Sequence, residues 1–326
     1  MMNTACQTTP APDIERPVVV CGVGRSGTSL LQSMLNAHPG LCLPPETHFF
    51  RRYVADAAAR RRWERVGTSA LQAALDSDGH FARAGIPAAE LLNPETGRGL
   101  DTARVYRRLL QRVATREKAG LVGDKDPRSL DCLAAWKREF PDARIVHMIR
   151  DPRDVLLSRT KAEWSAGRPW WAHLLICKEQ LRRGRALGRR LYGDAYLEVR
   201  YEDLLADPRA ELERICKHIE LEFNPCMLDF AASAERLVDS SEMSWKKETL
   251  GPLLVSNTNK WRTGLSTFQV RLTERISRES FRELGYVQDS RGAALHIGER
   301  LLLASAPLLR IGAAAAFDLR RALGRI

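Results

Sequence analysis

Val18-Val19-Val20-Cys21 is a short β-branched run that ends in GVGRSGTS (Gly22–Ser29), and Leu30, Leu31, Met34, Leu35 and His38 follow it at helical spacing. Strand, glycine-rich loop and helix in that order have the layout of a phosphate-binding loop. Glycines let the backbone approach an anion closely, and successive N–H groups at a helix N-terminus favour negative charge. A plain strand-to-helix turn is the competing reading, but such turns seldom group Arg25, Ser26, Thr28 and Ser29.

The spacing from Gly22 to Gly27 matches the nucleoside triphosphatase pattern, yet the residue after Gly27 is Thr28 where that pattern has lysine. The cation stands at Arg25 instead. Without that lysine the loop is poorly equipped for a triphosphate and Mg²⁺, and a single 5′ phosphate group fits it better.

Further strand and helix units follow. Leu121-Val122-Gly123 leads through a DKDP loop into a helix over LDCLAAWKREF; Ala143–Ile149 reads as a buried strand that turns at RDPRDVLLSR into a helix with Pro152 in its first turn; and Ala195–Val199 precedes a helix start at Asp207-Pro208. Strands alternating with helices predict an α/β fold: a single P-loop-like domain with a central, mostly parallel sheet flanked by helices. Residues 1–16 read as a flexible leader, 17–286 as the domain, 51–118 as an arginine-rich helical insertion with an Asn93–Gly97 loop, and 287–326 as a basic helical C-terminal extension. That extension is expected to pack on the domain or a second subunit, or to touch a membrane surface peripherally.

Composition excludes disorder, at 44% hydrophobic residues, and the net charge of +11 points to a negatively charged partner without saying which. Seven scattered cysteines with no C-x-x-C pair suggest neither a disulfide framework nor a zinc site, and fit a reducing, cytoplasmic setting. No secretory signal is visible, and the longest apolar run, Leu301–Leu309, is bracketed by Arg300 and Arg310, too short to span a bilayer.

The segment from Gly22 to Phe50, GVGRSGTSLLQSMLNAHPGLCLPPETHFF, resembles the 5′-phosphosulfate-binding segment of sulfotransferases that use 3′-phosphoadenosine-5′-phosphosulfate (PAPS), in the branch containing tyrosylprotein sulfotransferases. LVGDKDP, IVHMIRDPRDVLLSR, LEVRYEDLLADP and NKWRTGL with the later ELGY resemble four more segments of that branch, in the same order across Arg16–Tyr286. The resemblance implies metal-independent, in-line transfer of a sulfuryl group from PAPS to an acceptor hydroxyl.

Its implied roles fall on particular residues. Arg25, Ser26, Gly27, Thr28 and Ser29 would hold the 5′-phosphosulfate, and Arg150 with Ser158 the 3′-phosphate. The competing role for Arg150 is an ion pair with Asp151 or Asp154. A further family arginine falls on Ala162, for which Arg159 or Lys161 would substitute. Glu46 stands where the branch has its catalytic base, with His48 as fallback; a helix-capping Glu46 is the bland reading. Lys125 corresponds to the lysine that serves the sulfuryl group and bridging oxygen, unless Asp124 and Asp126 make it a structural ion pair. Tyr201 and Lys260 carry over as nucleotide contacts, Ser244–Asn257 receives no role, and no metal is expected.

Trp136, Trp164, Trp170 and Trp171 read as core residues, and Trp261 as a candidate border of the nucleotide. Arg51, Arg52, Arg60, Arg61, Arg62 and Arg65 read as a solvated helix face, close enough to Glu46 to suit an acidic acceptor. Protein tyrosine, glycan, lipid and small-molecule hydroxyls all stay open as acceptors, as does a homodimer. The competing functions are a P-loop kinase or NTPase and, behind it, a non-catalytic nucleotide- or polyanion-binding protein. Nucleic acid is not an expected partner, because no alternation of aromatic and basic residues is seen.

Overall fold

A computed structural model describes residues 13–92, 100–162, 165, 167–237, 256–289 and 296–302, and beyond these 304, 305, 308, 311, 312 and 315. Five strands, β1 (Asp13–Gly22), β2 (Leu41–Cys42), β3 (Leu121–Lys125), β4 (Arg144–Ile149) and β5 (Tyr196–Arg200), form one sheet in the order β2-β3-β1-β4-β5, and every pairing is parallel. β1 is the central strand, with Val19 opposite Asp124 on one side and Ile145 on the other.

Side chains alternate across a strand, so each strand serves two cores. Val19, Cys21, Ile145 and Ile149 join one buried cluster; Val18, Val20, Val146, Met148 and Val199 join the other. Both faces are covered by helices, which is why the strands read as nearly continuous apolar runs. The short β2 lacks such a run and carried no signal of its own.

The insertion is helical where described: a π-helical turn Phe50–Ala55, then Ala57–Val66, Thr68–Asp76, Gly79–Ala82, Ala88–Leu91 and the long Thr102–Glu117. Leu71, Leu75, Phe81, Tyr106 and Leu109 enter the same cluster as Val19 and Cys21, so the insertion caps the sheet and shares its core. Phe50 stacks on Trp136 with ring centroids 3.7 Å apart, locking the cap's first turn to the helix after β3. The Asn93–Gly97 loop lies outside the described residues.

Three boundaries move. Residues 13–16 of the expected leader begin β1, with the Asp13 N–H donating to Gly120. Asp124 and Lys125, expected in a loop, complete β3, and the helix expected from Leu130 starts as a 3₁₀ turn, Pro127–Cys132, before Leu133–Glu139. The described part of the extension is helical over 297–302 and packs on the domain through Leu302; the rest of 287–326 is only partly described.

Candidate active site

Every expected site residue except Lys260 lies in the segment that follows, or at, the C-terminal end of a parallel strand, where open α/β sheets gather ligand contacts. β1 ends in the glycine-rich loop, β3 in Lys125, β4 just before Arg150 with Ser158 on the following helix, and β5 just before Tyr201. Because β3, β1, β4 and β5 are neighbours, these ends form one continuous edge.

The loop is tightly held. Arg25 and Gly27 both have positive φ, 81° and 94°, the Ser26 N–H donates to Val23 at 3.0 Å, and helix Thr28–Asn36 starts from Gly27. A Cβ on Gly27 would run into the Tyr201 ring, so glycine is required there for space as well as for φ. Arg25 in the left-handed region is a strained non-glycine residue, of the kind that clusters at functional sites. Its Nε donates to Ser158 Oγ at 2.9 Å, which unites two residues assigned to opposite ends of the donor.

Arg150 is buried. Its guanidinium donates to the carbonyls of Arg25 at 3.3 Å and Asn257 at 2.7 Å, and lies 4.4 Å from the Tyr201 ring centre. Asn257 Nδ2 in turn donates to the Tyr201 hydroxyl at 2.8 Å. Neither competing acid takes Arg150 by hydrogen bond: Asp151 binds Arg153, and Asp154 accepts from the N–H groups of Asn259 and Trp261. Arg150 Nε is buried with no hydrogen-bond partner among the described residues, a cation with donor capacity left to give.

Lys125 is fully buried, and its ammonium donates to Ser29 Oγ at 3.2 Å and to the Glu46 carboxylate. The neighbouring strand thus sets a lysine beside the phosphate loop, which has none of its own. Glu46 caps no helix. The flanking acids are committed elsewhere as well: Asp126 accepts from His48 Nδ1 at 2.8 Å and Arg51 Nε at 3.1 Å, and Asp124 points to the other face of β3. Burial alone would push the Asp126 carboxyl up, but the His48 hydrogen bond and the Arg51 charge hold it below the usual carboxylate range. Asp124, buried and next to the Asp126 charge, is raised to about 7.

Donor atoms of Glu46, His48 and Asp126 lie within 4.8 Å of one another, a spacing open to a cation. Two of these groups already hold cations of the protein, Glu46 that of Lys125 and Asp126 that of Arg51.

Several expectations are corrected. Arg51 is a half-buried partner of Asp126 and Arg60 of Glu139, while Arg52 pairs with Asp78 at the surface, so two of the six arginines work partly inside the fold rather than in solvent. Trp171 is exposed, while Trp136 is buried; Trp164 lies outside the described residues. Trp261 is buried beneath the Arg153 guanidinium at 3.7 Å. Of the two proposed substitutes at Ala162, Arg159 reaches the loop, its Nη1 3.2 Å from where a Gly24 Cβ would sit, whereas Lys161 is exposed. Lys260 is exposed at the start of the short helix Trp261–Gly264. Asn257, from a segment assigned no role, stands at the centre of the Arg150 and Tyr201 contacts; nothing in its local sequence signals this.

The chain matches the sulfotransferase family over residues 17–225. It is 25% identical to protein-tyrosine sulfotransferase 1 of Danio rerio over 254 residues, 75% of this chain and 65% of that protein. It is 27% identical to carbohydrate sulfotransferase 4 of Mus musculus over 164 residues, 44% of this chain and 42% of that one. Among solved structures, the sulfotransferase domain of the Synechococcus PCC 7002 olefin synthase superposes with a TM-score of 0.56 at 25% identity, covering 82% of this chain and 97% of that domain. The chain thus spans less than two thirds of the length of these curated relatives.

Proposed function

The chain belongs to the sulfotransferase family, and on that premise we propose that it moves the sulfuryl group of PAPS to an acceptor hydroxyl. The observation that carries this reading is Lys125, a buried ammonium shared between Ser29 of the phosphate loop and the Glu46 carboxylate. One cation touches both the donor's seat and the group placed to accept a proton.

In the proposed reaction the acceptor oxygen attacks sulfur in line, the bond from sulfur to the bridging phosphate oxygen breaks, and its electron pair stays on the departing adenosine 3′,5′-bisphosphate. Glu46 takes the hydroxyl proton. Lys125 turns from Glu46 toward the bridging oxygen as charge builds there, an interaction that strengthens in the transition state. Donor arrival therefore also releases the Glu46 carboxylate for its own task. Glu46 rather than His48 is the base, because His48 is tied through Asp126 to Arg51 and shares no group with the phosphate loop.

Arg25 and the N–H groups of Ser26–Ser29 hold the 5′ end, and Arg150, through its Nε, holds the 3′-phosphate with Ser158, which the Arg25 hydrogen bond keeps beside the loop. Tyr201 and Asn257 keep Arg150 in place. Tyrosine and carbohydrate acceptors are both represented among the relatives by name, and the acceptor here is a hydroxyl of either kind or of a lipid or small molecule.

Thermal unfolding with adenosine 3′,5′-bisphosphate, AMP and Mg-ATP tests the donor, since a ligand that binds only the native state raises Tm. Selective stabilisation by the bisphosphate, followed by label transfer from radioactive PAPS to a tyrosine peptide, glycan or phenol, is the expected result. Equal or greater stabilisation by Mg-ATP would overturn the reading in favour of a kinase.

A further inference from the structure

The helix that starts at Ile297 has two unlike faces. Inward, the Glu299 carboxylate lies 3.6 Å from Arg271 and accepts the His296 N–H at 2.9 Å, while Leu302 packs with Leu156, Leu174 and Leu272. Outward, Ile297, Leu301, Leu308 and Ile311 are 79%, 68%, 73% and 66% exposed. Together with exposed Ala304 and Ala315 they recur at steps of four, three, four, three and four residues, the spacing of a stripe on one helix face. Large aliphatic side chains left in water in such a row mark an interaction surface.

We propose that this stripe lies in the plane of an anionic lipid bilayer, its aliphatic side chains entering the acyl-chain boundary. Charge selects the occupant. Residues 287–326 hold six arginines against Asp289, Glu299 and Asp318, and two of those acids already face domain arginines, Asp289 with Arg262 and Glu299 with Arg271. The segment that carries the stripe is therefore net positive, complementary to acidic headgroups and repulsive toward a second copy of itself. Trp170 packs in the same cluster as Leu302, and its neighbour Trp171 is exposed, an aromatic of the kind enriched at bilayer interfaces. No helix among the described residues is long and apolar enough to cross a membrane.

Co-sedimentation of the full chain with vesicles of phosphatidylcholine, alone or mixed with phosphatidylglycerol, tests this. Binding to the mixed vesicles, weakened by salt and at least about tenfold weaker to the neutral ones, is expected. The variant Leu301→Gln/Leu308→Gln should lose about tenfold or more per leucine while keeping its Tm and its response to adenosine 3′,5′-bisphosphate, which separates this proposal from the catalytic one. Arg300→Glu, which removes no apolar packing, should weaken only the binding to acidic vesicles. No vesicle binding by the wild type, or binding that Leu301→Gln/Leu308→Gln leaves unchanged, overturns the proposal. So does a wild-type dimer in sedimentation equilibrium that the same variant dissociates, which would assign the stripe to a second copy.

Discussion

Glu46→Gln removes the countercharge of a fully buried ammonium while keeping the shape of the side chain, and its consequences follow from the pair it breaks. Stripping one partner from a buried ion pair costs about 3–5 kcal/mol, because the remaining charge stays uncompensated. The Glu46 side chain keeps 13% of its exposure, so water reaches the pair, and the lower end, about 3 kcal/mol, applies. At roughly 2 °C per kcal/mol for a domain of this size, Tm should fall by about 6 °C. Adenosine 3′,5′-bisphosphate brings anionic oxygens that take the carboxylate's place. Its stabilising effect should therefore be larger in the variant than in the wild type, and recovery of about 1.4 kcal/mol would appear as tenfold tighter binding. Lys125→Met takes the ammonium from Glu46 in its turn, whereas Glu46→Gln/Lys125→Met removes both charges of the pair and should regain most of the lost Tm, without regaining transfer. Differential scanning fluorimetry across a bisphosphate titration reads all three variants. A Glu46→Gln protein with wild-type Tm, or a smaller bisphosphate response than the wild type's, would refute the shared-lysine reasoning. In the transfer assay Glu46→Gln should be slower by about 10²–10⁴, the usual worth of a general base.

Arg150→Ala should remove the preference for adenosine 3′,5′-bisphosphate over AMP, since each charge-assisted bond to a phosphate is worth about 1.5–3 kcal/mol; calorimetric affinities for the two nucleotides that keep their wild-type ratio would show that Arg150 is purely structural. Gly27→Ala forces a left-handed φ of 94° on alanine and drives a methyl into Tyr201, costing about 1–2 kcal/mol of strain and about 1–3 kcal/mol of overpacking. Urea midpoints should fall accordingly, and a midpoint equal to the wild type's would contradict the close approach. Burial lowers His147 to about 3, and burial with the Arg144 charge lowers His218 to about 4. Both folded values lie below the unfolded one, so the unfolded chain takes up protons first: their stabilising contribution is complete above about pH 6.5 and is lost as pH falls toward 4 and then 3. Between pH 6.5 and 5 His147 should account for about 2 kcal/mol of that loss. A His147→Asn protein with an unaltered acid slope in urea titrations would dissociate the slope from this residue.

Much of the fold was legible because it is written locally. The β-branched run before GVGRSGTS, the apolar strand before Arg150 and the alternation of strands with helices each express a period that a few adjacent residues carry. The parallel sheet, the phosphate loop and the order of the segments follow from those periods. β2 was not legible, since two residues carry no period, and the start of β1 at Asp13 was hidden by its polar composition. Exposure was also misjudged at Trp171 and at Arg51, because a helix face turns toward core or solvent according to what the rest of the fold sets against it.

The sequence by itself determined which groups stand at the strand ends: Arg25, Lys125, Arg150 and Tyr201 are placed there by the same local rules that make the strands. What only the tertiary structure decided is how those groups pair. The order β3-β1-β4-β5 sets Lys125 beside Ser29 and Glu46, closes Arg25 onto Ser158, and brings Asn257 under Arg150. Whether Lys125 would bind Asp124, Asp126 or Glu46 had no local answer. Its nearest acids in the chain point to another face or to other cations, and the partner it has comes from 79 residues away. Hydrogen bonds and ion pairs are made between neighbours in space, and in an open parallel sheet the strand order chooses those neighbours.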